Sequence, residues 1–116
     1  MSYNLARGRG LVVPFTGNLN VTRADEGKIF RCDDTANVTV TFNRDLSVGF
    51  NCGFTMYSTG TVTLGASQGV TNLLAKTALS TRYQAGSMMV MQRTANFQGE
   101  ADVGATIEYL VGGDFA

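Results

Sequence analysis

The sequence predicts an all-β fold, built as a compact antiparallel β-sandwich of jelly-roll-like type. Apolar residues recur at every second position from Leu11 onward, which is the period of a β-strand. The chain contains 14 threonines, whose β-branched side chains favour strands. Clusters of Gly, Asn and Asp separate the apolar segments at short intervals, as turns do between strands.

The chain of 116 residues has the length of one domain. We predict an N-terminal arm over residues 1–10 and a single β-sandwich domain over residues 11–116. The arm carries the basic, glycine-rich run Arg7-Gly8-Arg9-Gly10, which lacks strand alternation. It is either a frayed terminus or an extension that becomes ordered only by lying across a neighbouring protein.

Strands are predicted at the segments that alternate apolar and polar residues, which are 19–21, 38–42, 54–56, 62–64 and 107–111. The stretch 72–79 has weak helical character and is predicted to form a loop or a brief helix. We find no internal repeat at a fixed spacing, so a solenoid is not expected.

Three methionines make the segment around Val90 apolar at consecutive positions. Met88, Met89 and Met91 place flexible thioethers on both faces of one predicted strand. Such a strand should be covered by the core on one face and by another layer or subunit on the other. Together with Arg7 and Arg9 of the arm, these methionines are the candidate partner-binding residues.

Charge and hydropathy argue against two classes of partner. The nine basic and nine acidic residues cancel, and the arginines are scattered among acids, so no basic patch for nucleic acid is expected. No apolar run approaches the roughly 20 residues of a membrane-spanning helix, and no signal peptide is evident. The protein is expected to be made and used as a soluble chain.

The residues needed for common catalytic and metal sites are missing from the sequence. It contains no histidine, the usual base of nucleophilic catalysis, and its acidic residues fall in predicted turns. Asp33 and Asp34 with Asn37 could hold calcium, although a simple Asx-type turn is the favoured interpretation. Cys32 and Cys52 are predicted to be small buried apolar residues. We therefore expect no enzyme activity, cofactor or metal.

The segment 38–71 carries an ordered set of short motifs. They are Val38-Thr39-Val40, Val48-Gly49-Phe50, the predicted hairpin Thr59-Gly60-Thr61-Val62-Thr63, and Ala66-Ser67-Gln68-Gly69-Val70-Thr71. This order resembles the structural proteins of tailed-bacteriophage virions, which include head-decoration (cement) proteins and fibres. With weaker flanking similarity, the resemblance covers about two thirds of the chain, although a tryptophan that related sequences usually carry is absent here.

The resemblance implies a homotrimer in the virion, made in the host cytoplasm. The leading hypothesis is a capsid decoration protein that binds the major capsid protein on the outer surface of the shell and stabilises it. The arm would grip a neighbouring capsid subunit, and the methionine strand would join copies of the chain. The alternative is a head-fibre or tail-fibre module that recognises host surface glycans, with Tyr57, Tyr83 or Tyr109 stacking on sugars.

Overall fold

Two β-sheets face each other across one core in the computed structural model, which describes residues 11–94 and 106–116. The strands of the described residues are β1 (Val12–Phe15), β2 (Leu19–Val21), β3 (Ile29–Cys32), β4 (Asn37–Phe42), β5 (Asn51–Met56), β6 (Thr61–Leu64), β7 (Val70–Asn72), β8 (Ala78–Leu79), β9 (Ala85–Thr94) and β10 (Thr106–Gly113). One sheet has the strand order β1-β3-β5-β9-β10-β7 and the other β2-β4-β6-β8. The prediction of an all-β fold is confirmed.

Successive strands from β1 to β8 alternate between the two sheets. As a result β1, β3 and β5 lie side by side and parallel, and so do β2, β4 and β6. The chain therefore winds as a flattened coil, in which each turn places one strand in each sheet. Consecutive turns stack by backbone hydrogen bonds between parallel strands.

The register of this coil shows a repeat that our sequence analysis missed. Ile29 pairs with Gly53 and Val38 with Val62, so both sheets have an offset of 24 residues between these turns. The repeated residues are Phe30 and Phe54, Thr35 and Thr59, and the tripeptides Val38-Thr39-Val40 and Val62-Thr63-Leu64. Two copies of short motifs are too few to stand out as a periodic sequence, because the first turn is shorter and the later strands run antiparallel.

The predicted antiparallel arrangement is wrong for most of the described pairings, because five of the eight are parallel. A jelly roll is antiparallel throughout, so its topology does not describe this chain. Alternation of apolar residues reports which side chains face the core, but the same alternation occurs in both strand directions. The predicted hairpin at 59–63 is likewise wrong: the turn before β6 carries the chain from one sheet to the other.

The last strands close the coil with antiparallel pairs. The long strand β9 pairs with β5 on one side and with β10 on the other, and β8 pairs with β6. The loop predicted for 72–79 is found only at residues 73–77, because Asn72 ends β7 and residues 78–79 form β8. No helix in the part of the chain that the structure describes has the length and apolar character needed to cross a bilayer.

The core is an aromatic stack that follows the coil. Phe30 and Phe54 are register partners on adjacent turns, and their rings stack with centroids 5.7 Å apart. Phe42 of the facing sheet contacts Phe54 and Tyr109 edge to face. Cys32 and Cys52 are free and buried within this core, as predicted. Burial on this scale is the main stabilising contribution to a small domain.

Candidate interaction surfaces

The methionines of β9 are divided between the two faces of the six-stranded sheet. Met88 is 1% exposed and lies in the core, whereas Met89 and Met91 are 44% and 48% exposed. The strand is therefore apolar on both faces, as its sequence predicts. Of the three candidate methionines, Met89 and Met91 are available to a partner, whereas Met88 is occupied by core contacts. The candidates Arg7 and Arg9 lie outside the described residues.

The outward side of this sheet carries further apolar residues, and we define the apolar outer face as Val12, Ile29, Met89, Met91 and Leu110. Leu110 is the register partner of Met89, and Val12 is that of Ile29. Val12, Met89, Met91 and Leu110 are each between 36% and 50% exposed. An outward face of a small sheet is usually polar, so several large apolar residues exposed on this one mark a candidate contact.

Small residues fill the middle of the apolar outer face. Gly53, Ser87 and Gly112 are register partners in one row across β5, β9 and β10. Beside them, Met89 and Leu110 border a shallow groove of roughly 320 Å³. Because the row has so little side-chain volume, another chain could approach the sheet backbone closely at this point.

Charge is confined to the ends of the apolar outer face. Among the described outward positions of these strands, only Arg31 and Glu108 are charged. Arg31 pairs with Thr55, one outward row beyond Ile29, and Glu108 pairs with Gln92 beside the bulge. Arg31 is already paired with Asp33, with Nη2 2.8 Å from a carboxylate oxygen. The centre can therefore be buried without removing an ionised group from water, which is the expensive step in forming an interface.

A β-bulge lies at Met91 on this surface. Tyr109 pairs with Val90 and Glu108 with Gln92, which leaves Met91 as the extra residue on β9. Both Met91 and Gln92 are exposed as a result. Bulges interrupt the regular alternation and re-aim a side chain. Met91 shares the face of Met89 by alternation, so the effect of the bulge is that Gln92 also points outward beside it.

A second surface forms where β3 and β5 end, and we call its four residues Arg31, Tyr57, Arg82 and Tyr83 the Tyr–Arg cluster. The two tyrosine rings meet edge to face with centroids 5.7 Å apart. The Arg31 guanidinium lies 5.0 Å from the Tyr57 centroid, and that of Arg82 lies 4.8 Å from the Tyr83 centroid. Both are cation–π contacts, which favour the charged guanidinium beside the electron-rich ring.

The backbone holds Tyr83 in a conformation that few residues adopt. Its φ of +73° lies in the left-handed region, which costs a residue with a Cβ on the order of 1–3 kcal/mol. The side-chain oxygen of Gln84 accepts hydrogen bonds from the N–H groups of Ser80 and Thr81, and Arg82 Nε donates to the Tyr57 carbonyl at 3.1 Å. These bonds fix the loop that presents the two rings.

The two arginines of the Tyr–Arg cluster differ in their charge environment. The bidentate hydrogen bond with Asp33, the largest influence, raises the pKa of Arg31 and neutralises its charge locally. Arg82 forms no ion pair with an acidic side chain of the described residues. The cluster therefore presents one uncompensated positive charge, beside a tyrosine ring that is 63% exposed.

The tyrosines of the Tyr–Arg cluster lie far from Met89 along β5. Met89 pairs with Asn51 at the start of that strand, whereas Tyr57 follows its end. Six residues of extended chain span about 20 Å. The two surfaces adjoin only at β3, where Ile29 and Arg31 are neighbouring outward positions. Substitutions at Met89 and Leu110 can therefore be tested apart from substitutions at Tyr57 and Tyr83.

Other predicted site residues have structural roles. Tyr109 is 2% exposed and packs on Phe42, so the hypothesis that it stacks on a sugar is wrong. Burial raises the pKa of Tyr109 to about 12. Asp34 accepts hydrogen bonds from the N–H groups of Gly17 and Ala36, which lower the pKa of its carboxyl and confirm an Asx-type turn.

Two other turn carboxylates, those of Asp25 and Asp45, lie beside basic side chains. Asp25 pairs with Lys28 at 2.9 Å and Asp45 with Arg23 at 3.2 Å. These pairs are local to their loops and do not bring two carboxylates together. They stabilise the turns between strands by modest amounts, as exposed or half-exposed ion pairs generally do.

Some residues of both surfaces were missed in the sequence. Leu110 lies in the run Tyr109-Leu110-Val111, which is apolar on both faces of β10 just as 88–91 is on β9. That run was a usable signal. Arg31 and Arg82 gave none, because their contacts with Tyr57 and Tyr83 depend on loops that meet only in the folded chain. Comparison with protein-family models, curated protein sequences and solved structures finds no match for this chain.

Proposed function

We propose that this chain is a structural protein of a tailed-phage virion, a capsid decoration (cement) protein that assembles as a homotrimer. The observation that carries the proposal is the apolar outer face, which is uncharged at its centre and half-exposed in a single chain. Motifs of β4 to β7 that resemble virion proteins support the same class. On this proposal the protein binds other protein surfaces and catalyses no reaction.

The apolar outer face supplies the contact between copies in this proposal. Burying the exposed half of Val12, Met89, Met91 or Leu110 would contribute on the order of 1 kcal/mol each. Contributions of this size, summed over the copies of a trimer, suit an assembly that forms at moderate protein concentration. Methionine adapts its shape to a partner surface, which makes Met89 and Met91 suitable at such a contact.

The arm supplies the contact with the major capsid protein. Its candidate residues are Arg7 and Arg9, whose guanidinium groups suit carboxylates on a neighbouring subunit. A protein that binds the assembled shell better than its separated subunits stabilises the shell by mass action. Three arms on one trimer would add to that effect, because the second and third attachments are intramolecular.

Attachment to particles tests this proposal. We expect the wild-type chain to sediment with purified capsids that lack decoration protein, and Met89→Glu/Leu110→Glu to attach at least about tenfold more weakly, because charge on the apolar outer face opposes burial. Asn37→Glu/Thr39→Glu is the matched control, since it places two acids on exposed positions of the other sheet. An Arg7→Ala/Arg9→Ala chain should form trimers but attach weakly.

Two results of this experiment would contradict the proposal. One is wild-type protein that stays in the supernatant with capsids of its own phage. The other is equal attachment by the outer-face variant and the control variant, which would show that the apolar outer face takes no part in attachment.

A second candidate, a fibre module that recognises host surface glycans, is favoured by one specific observation. The exposed rings of Tyr57 and Tyr83 meet in a pre-arranged pair beside an uncompensated arginine. Incubation with host cells separates the two candidates. A receptor-binding module should sediment with the cells, whereas a decoration protein should sediment with the shells.

A further inference from the structure

We infer that the Tyr–Arg cluster binds an acidic sugar, a pyranose whose carboxylate is held by Arg82 while its ring stacks on Tyr83. The inference rests on the second candidate function and specifies its ligand class. It does not depend on decoration, because Met89 of the apolar outer face lies about 20 Å from Tyr57 along β5.

The aromatic half of the site is an open corner. Tyr83 is 63% exposed and Tyr57 is 46% exposed, and their rings lie at 70° to each other. Two rings at this angle offer a ring face and an adjoining edge to one small ligand. The C–H groups on one side of a pyranose are apolar enough to pack on such a face, and the phenol hydroxyls remain at the rim as hydrogen-bond partners.

The charged half of the site selects an anion. Arg82 Nε donates to the Tyr57 carbonyl, which orients the guanidinium and leaves the two terminal nitrogens for a ligand. A carboxylate matches those two donors in a bidentate pair. Arg31, by contrast, is already paired with Asp33, so it supports the Tyr57 ring without offering a second anion site.

The site is pre-arranged before any ligand binds. Tyr83 is held at positive φ by a hydrogen bond from its N–H to the Met56 carbonyl. Strain of this kind persists where the surrounding structure enforces it, and it clusters at binding and catalytic sites. Each ring is also restrained by its guanidinium contact. A rigid site loses less conformational entropy on binding, which raises affinity for a small ligand.

The surroundings of the cluster favour a sugar over a protein partner. The neighbouring loop residues Ser58, Thr59, Ser80 and Thr81 are all polar. A protein hot spot built on Tyr and Arg is normally enclosed by contacts that exclude water, and these polar neighbours do not provide an apolar surround of that kind.

A binding titration followed by NMR on the full-length protein tests the inference. The probes are methyl β-D-glucuronide and the methyl glycoside of N-acetylneuraminic acid, with methyl β-D-glucoside as the neutral control. We expect millimolar binding of at least one acidic probe, with the largest shifts at Tyr57, Arg82 and Tyr83, and at least about tenfold weaker binding of the glucoside.

Variants separate the two halves of the site. Arg82→Gln should weaken the acidic probe about tenfold, because it removes the charge and the two donors that hold the carboxylate. The weak glucoside binding should fall by a smaller factor, because only the restraint on the Tyr83 ring is lost for that probe. Tyr83→Asn should weaken both probes, and asparagine tolerates the left-handed backbone. Arg23→Gln, which removes an arginine from another loop, should bind like the wild type.

Several outcomes would overturn the inference. They are the absence of binding by both acidic probes at about 50 mM, equal binding of the glucuronide and the glucoside, and undiminished acidic-probe binding by Arg82→Gln. If Arg82→Gln abolishes attachment to capsids while no sugar binds, the cluster is a protein contact. If sugar binding occurs but capsid attachment fails, the decoration proposal falls and this inference stands.

Discussion

At the scale of single residues, Gly60 occupies the tightest corner of the coil. Its N–H donates to the Asp34 carbonyl at 3.2 Å, which ties the turn before β6 to the turn before β4. A Cβ added at Gly60 would overlap the Ala36 carbonyl and lie 2.7 Å from the Asp34 oxygen. Both neighbours are backbone atoms, so they cannot move aside as a flexible side chain would.

Gly60→Ala should therefore lower the free energy of unfolding by about 1–3 kcal/mol, as overpacked substitutions do. Urea denaturation measures this change. Gly112→Ala is the matched control, since the nearest atom to its added Cβ is the Ser87 hydroxyl oxygen at 4.0 Å. Equal stability of the two variants would contradict the close contact between the two turns at Gly60.

The buried thiol of Cys52 gives a pH dependence with a definite sign. Burial raises its pKa from 9.0 to about 12, so the folded chain keeps the proton where the unfolded chain releases it. This contribution to stability is complete below pH 9 and is lost as the pH rises from 9 toward 12. Tyr109, whose pKa is also raised to about 12, acts in the same direction.

We expect the free energy of unfolding to fall across that alkaline interval by up to about 1.4 kcal/mol per pH unit from Cys52. Cys52→Ala should be less stable at neutral pH but should show a smaller alkaline decrease. Urea titrations at a series of pH values, with reductant present, measure both slopes. Parallel slopes for the variant and the wild type would contradict the burial of this thiol.

At the scale of elements, the first turn of the coil exposes the edges of both sheets. β1 ends the six-stranded sheet and β2 ends the four-stranded one. The Leu11 carbonyl accepts a hydrogen bond from Ile29 N–H at the start of β3, and the Phe15 carbonyl accepts one from Asp33 N–H just after its end. The backbone groups of Val12 and Pro14 therefore face the open edge. Pro14 has no N–H to offer, which makes this edge a poorer template for another strand.

The sequence was a good guide to which residues face the core and a poor guide to how the strands connect. Alternation located the strands around Val38, Val62 and Ile107 and placed Met88 and Met89 on opposite faces. Alternation could not predict strand direction. A turn such as 57–60 has the same kind of sequence whether the chain folds back within one sheet or crosses to the other sheet.

The candidate site could be predicted only in part, for a related reason. Met89 and Met91 can be noticed in the sequence, because they are apolar residues at strand positions where the alternation predicts polar ones. The Tyr–Arg cluster combines the ends of β3 and β5 with the loop before β9, and no local pattern joins residues so far apart in the chain. Its tyrosines could be suspected singly, but their pairing required the fold.

At the scale of the whole molecule, the two sheets leave one sheet face apolar and its opposite polar. The outward positions of β4 and β6 are Asn37, Thr39, Thr41, Thr61 and Thr63, which suit water. The outward positions of β9 and β10 include Met89, Met91 and Leu110, which do not. The two outward faces therefore differ in chemistry: one is suited to contact with other copies, and the other is suited to solvent.

Sedimentation equilibrium of the wild-type chain beside Met89→Glu/Leu110→Glu tests the central claim most directly. We expect a mass of about 37 kDa for the wild type, three times the 12.4 kDa chain, and 12.4 kDa for the variant. A wild-type chain that remains at 12.4 kDa, or a variant that still assembles, would contradict an assembly closed through the apolar outer face.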